Sequence, residues 1–385
     1  MKLLLQDARI VLPDCVVEQA NLFIDDGRIV SISESSNEPP AADATVSLRG
    51  LTLFPGFIDL HIHGAAGVDT MTAEAAELCK VSEFLATQGV TAWLPTLVPA
   101  PATDYERAAQ AIEEATAFKA GACIFGVHYE GPFVNSAQCG ALRSQFFRSY
   151  SSPKDLDSLP LPGIDAKKMI TVAPEIDGGI ALIKELQRCG WIVSIGHTRA
   201  SLELLDEAFA AGARHLTHFM NAMPPLHHRS PGPVGWGLSR DDVSCDIIAD
   251  GIHLDREVLR MLLKIKNAER LTLISDAIAA AGLGDGNYKI WGETIAVKDG
   301  RTANERGAIA GSVITMLDAV RMMLSLGASE SDVAMMSSAN PARLLGIDNE
   351  CGSIAVEKRA DLVALDADRK VALTIIAGEI VESEK

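Results

Sequence analysis

The 385-residue chain is long enough for more than one hydrophobic core, and 48% apolar with 22% charged residues is the balance of a well-buried globular protein, not of a disordered or coiled-coil one. A net charge of −17 excludes nucleic acid and anionic membrane as general partners, which require a basic surface, and obliges any anionic substrate to find a local basic residue. Seven scattered cysteines without a CxxC pair suggest neither a disulfide framework nor a thiolate zinc site, and with no signal-peptide core or membrane-length apolar run a soluble, cytoplasmic protein is expected.

In chain order, residues 1–52 read as short alternating strands (ARIVL, VEQANLFID, GRIVSIS) with a loop from Ser33 to Ala41. From Leu53 to Ala277 one theme repeats: a short run of Val, Ile and Leu, a polar residue, then a helical stretch. Eight strands follow from it, at 53–63, 90–96, 123–131, 169–175, 192–198, 215–221, 244–251 and 270–277. Helices are expected at 72–88, 102–119, 178–189, 201–211 and 254–265, the fourth with Leu202, Leu205 and Phe209 as its apolar stripe. Nearly continuous apolar strands imply parallel strands buried on both faces, and a barrel is preferred to a doubly wound sheet because no strand runs into Gly-x-Gly-x-x-Gly. Residues 278–311 read as an insertion with Gly-rich turns, followed by a helix near 312–327 and another from the Ser329/Asp332 capping box to about Gly346. The tail (ADLVALD, KVALTIIAGEIV) returns to strand patterning, and neither flank can close a sandwich alone. The expected fold class is α/β: a (β/α)8 TIM-like barrel over 53–349, with a small β-sandwich domain built from both termini, 1–52 plus 350–385.

Uncommon polar residues gather where such barrels build their sites, at the C-terminal ends of the strands. Strand one ends in His61 and His63, whose period-two spacing puts both imidazoles on one face; strand three ends in Glu130, five in His197, six in His218 and eight in Asp276. A single histidine at a strand end is more often a hydrogen-bonded core or surface residue than a ligand, but six metal-capable side chains at five strand ends exceed that explanation. Nitrogen and oxygen ligands without thiolate suit a hydrolytic zinc or iron site. His128 is expected to pack behind Glu130, His215 to point away from His218, and His227 and His228 to sit on a solvated loop.

These residues stand in stretches that resemble one family, the N-acetylglucosamine-6-phosphate deacetylases of the amidohydrolase superfamily. The carriers are PGFIDLHIHG (55–64), GVHYEGPFVN (126–135), APE (173–175), SIGHT (194–198), THFMNAMPPLHHRSPG (217–232), IADGIH (248–253), SDA (275–277), IAGS (309–312) and ADLVALD (360–366). His-x-His and the ADLVALD tail mark only the superfamily, whereas HYEGPF, HFMNAMP and IADGIH together are specific to the deacetylases. The resemblance implies that Glu130, His197 and His218 hold the principal divalent metal, and that His61 and His63 with Asp276 complete a second site bridged by Glu130, so that one or two zinc or iron ions are bound per subunit. Strand four ends in Pro174 and Glu175, which leaves no lysine to serve as a carboxylated bridge.

By the same resemblance, Asp276 is the general base and acid for a metal-activated water, and His253 binds the amide carbonyl or the sugar and stabilises the oxyanion. Ala141, Leu142, Asn221, Ala222, His253, Ile309, Ala310 and Gly311 line the substrate, while Arg229 and the backbone N–H groups of Asn221 and Ala222 meet its phosphate. The family has a substrate-reaching histidine where this chain has Leu142, which bears on gluco against galacto epimers. The expected partner is a phosphorylated amino sugar and the expected assembly a homodimer. The competing expectations are a deacetylase of the galacto epimer, another amide hydrolase of the superfamily with no use for Arg229, and a non-catalytic sugar-phosphate sensor, which should have lost ligands that are intact here.

Overall fold

The computed structural model describes residues 1–35, 40–118, 121–163 and 165–381. The loop expected over 33–41 and the last residue of the helix expected at 102–119 fall partly outside them. Eight parallel strands form the barrel: Phe57–Ile62, Val90–Leu97, Gly126–Glu130, Lys167–Val172, Ile192–Ile195, His215–Leu216, Ser244–Ile248 and Leu271–Ile274. Each pairs with the next in chain order. The seam between last and first is joined just past the strand ends, where Asp276 N–H donates to His61 O at 2.8 Å and His63 N–H to Ala277 O at 2.7 Å. Closure of the barrel is thus made by the residues expected to do chemistry.

Helices Ala75–Thr87, Ala102–Thr116, Gly179–Arg188, Leu202–Ala210, Gly232–Ser239, Arg256–Lys266 and Met316–Ser325 surround the strands. In Leu202–Ala210 the buried residues are Leu205 and Ala208, and Leu202 is 36% exposed. At 100° per residue Leu202 lies roughly a right angle from the middle of that buried face, so the stripe expected through it is displaced by one row. The Ser329/Asp332 capping box starts the next helix as expected, with Ser329 Oγ accepting from Asp332 N–H at 3.1 Å.

The run expected as one strand from 53 to 63 is two. Thr52–Pro55 pairs antiparallel with Leu362–Leu365 in a second sheet, and Phe57–Ile62 starts the barrel. Gly56 between them passes so close to Thr91 that a Cβ would lie 2.2 Å from its side chain, so only glycine permits the change of sheet. The second sheet joins both termini in the order Glu379–Val381, Val371–Ile376, Leu362–Leu365, Thr52–Pro55, Lys2–Val11, Val16–Asp25, Arg28–Glu34, with Ala44–Ser47 parallel to Lys2–Val11. Its core is its own, with Leu3, Leu5, Ile10, Leu22, Ile24, Leu362 and Ile375 buried together. The insertion after the eighth strand is a three-stranded antiparallel sheet, Gly286–Ile290, Glu293–Lys298 and Arg301–Ala303.

Candidate active site

Three site residues arise from one local device. His197, His218 and Asp276 each stand two residues past the end of a barrel strand, and each has positive φ, 46°, 30° and 50°. A non-glycine residue in this region is uncommon, and here the left-handed turn swings each side chain over the mouth. Gly196, just before His197, could not carry a Cβ, which would come within 2.7 Å of Thr171.

The side chains meet on Glu130. Its Oε1 lies 2.9 Å from His197 Nε2 and 3.0 Å from His218 Nε2, and its Oε2 lies 3.4 Å from His63 Nε2. Asp276 Oδ1 is 3.2 Å from His63 Nε2 and 3.5 Å from His61 Nε2. Two buried donor sets therefore share one carboxylate: Glu130 with His197 and His218, and Glu130 with His61 and His63.

Electrostatics match the geometry. Burial raises the Glu130 carboxyl, but hydrogen bonds from His197 and His218 outweigh it and hold Glu130 well below the usual range. Burial pushes His61 well below the ordinary imidazole value, with His128 next in effect. For His63 and His218 burial acts downward too, but the bonds and charges of Asp276 and Glu130 prevail and raise both. His61 and His218 have buried Nδ1 atoms with no partner. His197 Nδ1 lies 2.8 Å from Gln138 O, which fixes that ring with its Nε2 lone pair inward. Converging imidazole and carboxylate lone pairs without thiolate are a donor set for a divalent metal, and a cation there would replace the protons that His63 and His218 otherwise attract.

The cleft above is lined by His63, Glu130, His197, His218 and Asp276 with Gly140, Ala141, Leu142, Asn221, Ala222, His253, Ile309, Gly311 and Trp291. Most of the expected substrate residues are thus brought together. Ala310 is buried behind the wall, its N–H donating to Thr302 Oγ1 at 3.1 Å, because its neighbours on either side face the cleft. Asn221 N–H, expected to face a phosphate, donates to His218 O at 2.9 Å in the turn that carries His218. Arg229 is exposed outside this lining, its Nη1 2.7 Å from His228 Nε2. His253 is tied by Nδ1 to Asp250 Oδ2 at 2.6 Å. His128 and His215 behave as expected of packing residues, each bonded at both ring nitrogens within the protein.

Sequence reasoning passed over Trp291, Asp59 and Asp69. Asp59 accepts from Ser275 Oγ at 2.5 Å and bonds Ser275 N–H, tying strand one to the turn that carries Asp276, and burial pushes its carboxyl up to about 7. Its signal was its parity with His61. Burial likewise pushes Asp69 up to about 6 beside His63 and Arg143. Trp291 lies in the insertion, where no periodic pattern pointed to the mouth.

A parallel barrel with this histidine and carboxylate constellation at its C-terminal mouth defines a metal-dependent hydrolase scaffold, and the chain belongs to the amidohydrolase family, which matches residues 52–381. It is 37% identical to the N-acetylglucosamine-6-phosphate deacetylase of Bacillus subtilis over 98% of this chain and 96% of that one. It is 34% identical to the N-acetylgalactosamine-6-phosphate deacetylase of Escherichia coli O157:H7, over 98% of each. A solved Mycobacterium smegmatis N-acetylglucosamine-6-phosphate deacetylase variant, in complex with N-acetylglucosamine 6-phosphate, superposes with a TM-score of 0.90 at 30% identity, over 99% of this chain and 100% of that one.

Proposed function

We propose that this protein removes the acetyl group from N-acetylglucosamine 6-phosphate, giving glucosamine 6-phosphate and acetate. The observation that carries the reading is Glu130 standing between two histidine pairs, with Asp276 3.2 Å from His63, beneath a cleft long enough to include His253 and Ala222. Glu130, His197 and His218 hold the principal divalent metal, zinc or iron, and His61, His63 and Asp276 with Glu130 form the second position. When bound, the metal supplies Lewis acidity that activates water and polarises the acetyl carbonyl. Asp276 takes the proton from the attacking water and returns it to the leaving nitrogen, because an amide departs poorly as an anion. Asp250 holds His253 at Nδ1 and so orients the ring for Nε2 to bind the amide carbonyl or the sugar from the cleft wall.

The phosphate is met by the backbone at Ala222 and by Arg229 from its exposed loop. A cytoplasmic homodimer is the state that the resemblance to the deacetylases implies, and among the described residues no helix is long and apolar enough to cross a membrane. Leu142, apolar and 4% exposed in the cleft wall where the family's pattern has a histidine, lacks a bond that would tell the epimers apart and so carries one second reading, that the galacto epimer is turned over as well.

The test is acetate release from N-acetylglucosamine, N-acetylgalactosamine and their 6-phosphates, before and after chelation and after re-addition of zinc or iron. Turnover confined to the phosphorylated sugars and lost on chelation is expected. Preference for the plain sugars defeats the reading. In Arg229→Met the preference for phosphate should fall about 10- to 100-fold, mainly through KM, since a contact to the non-reacting end holds ground and transition states alike.

A further inference from the structure

The insertion after the eighth strand brings a residue into the cleft that the reaction above leaves unused. Trp291 and Gly292 form the two-residue turn between Gly286–Ile290 and Glu293–Lys298, with φ of 53° and 80°, the type I′ pattern. Among the described residues the chain makes such X-Gly turns at four other hairpins, Asp26-Gly27, Ala66-Gly67, Asp299-Gly300 and Ala377-Gly378, and in each the first position holds a short side chain. A bulky aromatic in the left-handed region is an outlier, and such outliers persist where the surroundings hold them and collect at functional sites.

What the conformation achieves here is placement. The indole stands on His63 with ring centroids 5.1 Å apart and planes at 83°, and it lines the cleft together with Leu142 and Ile309. Its buried Nε1–H lies on the Asp69 side, where it acts on that carboxylate without reaching hydrogen-bond geometry. The polar edge of the ring is therefore directed to the Asp69 hairpin, and apolar ring surface is left to the cleft.

We propose that Trp291 is a specificity-determining residue that sets the length of the acyl group, admitting acetyl and rejecting longer chains. The inference rests on the deacetylase reading. Attack requires the acyl carbon beside Asp276, whose Oδ1 is 3.2 Å from His63 Nε2. The acyl methyl is one bond beyond that carbon, in the neighbourhood of the histidine that Trp291 covers. Added methylenes run into the indole, which the strained turn and the packing on His63 keep from yielding.

Trp291→Asn tests this cleanly, because Asn-Gly is the pair that a type I′ turn favours, so the hairpin is kept while the wall is removed. Trp291→Ala serves as a second variant, and kcat/KM is measured on N-acetyl-, N-propionyl- and N-butyrylglucosamine 6-phosphate with metal-loaded enzymes. One methylene of misfit in an apolar pocket changes kcat/KM by about 10- to 200-fold, so the butyryl-to-acetyl ratio should rise at least about tenfold in both variants. An unchanged ratio with an active wild type overturns the inference and leaves the deacetylase reading standing. A metal-loaded wild type that releases carboxylate from none of the three defeats that reading, and the inference with it.

Discussion

The barrel holds two groups of buried histidines, and they differ in what their ring nitrogens do. Further down the strands, His128 bonds Leu60 O and Thr171 Oγ1, and His215 bonds Ser244 Oγ and Asp246 Oδ1, so each ring is satisfied by the fold. At the mouth, His61, His63, His197 and His218 bring Nε2 atoms together around one carboxylate, and two of the four have unpartnered buried Nδ1 atoms. Burial is the same in both groups. What separates a site from a structural histidine is therefore convergence: at the mouth the Nε2 atoms meet on one carboxylate, where a cation can replace a proton, whereas His128 and His215 are each held by separate partners of the fold.

The largest effect should come from the group that moves the proton. Asp276→Asn keeps the shape but cannot accept the water's proton, so kcat should fall by roughly 10²- to 10⁴-fold with the principal metal, held by Glu130, His197 and His218, retained. Near wild-type turnover would remove Asp276 from the chemistry and leave it a positioning residue at the barrel seam.

The comparison itself is broken or sharpened by substituting both histidine groups. His197→Ala and His218→Ala should lose metal and activity together, while His61→Ala or His63→Ala should deplete at most one of two metals, read by elemental analysis. His215→Ala should instead retain metal and lose stability, by roughly 3–5 kcal/mol in denaturant unfolding, because Asp246 is left buried without its partner. If His215→Ala strips the metal without destabilising the protein, converging and separately bonded histidines are not distinct classes here.

Much of this is legible in the sequence. The proposed ligands His61, Glu130 and His218 end or closely follow apolar strands, and strand period and side-chain type are both written locally. His128 and His215 were also placed by parity with Glu130 and His218. The break at Gly56 was not legible, because it depends on Thr91 in the neighbouring strand. Leu202 misled because its spacing to Leu205 is helical whichever face the helix buries. Trp291 was missed since a turn residue has no periodic signal, and its relation to His63 spans the whole barrel. The position of Arg229 was likewise unreadable, as a motif fixes a residue in the chain and not on which side of a loop its side chain emerges.

The smallest expected effect concerns Leu142, where the mouth departs from its family's pattern. Its side chain is 4% exposed in the cleft wall, close to the loop whose Gln138 carbonyl orients His197. An apolar wall discriminates by shape alone, and shape separates epimers weakly, because moving one hydroxyl leaves the sugar's volume unchanged. A histidine adds a directional bond that one epimer meets and the other does not. Leu142→His should therefore shift the ratio of kcat/KM between N-acetylglucosamine 6-phosphate and N-acetylgalactosamine 6-phosphate by about 2- to 13-fold, the value of one neutral hydrogen bond of roughly 0.5–1.5 kcal/mol. The shift should appear in KM more than in kcat, because the bond forms on binding and holds ground and transition states alike. A ratio unmoved by the substitution would show that position 142 does not read the sugar, and would place epimer choice at His253, the polar side chain that faces the cleft from the opposite strand ends.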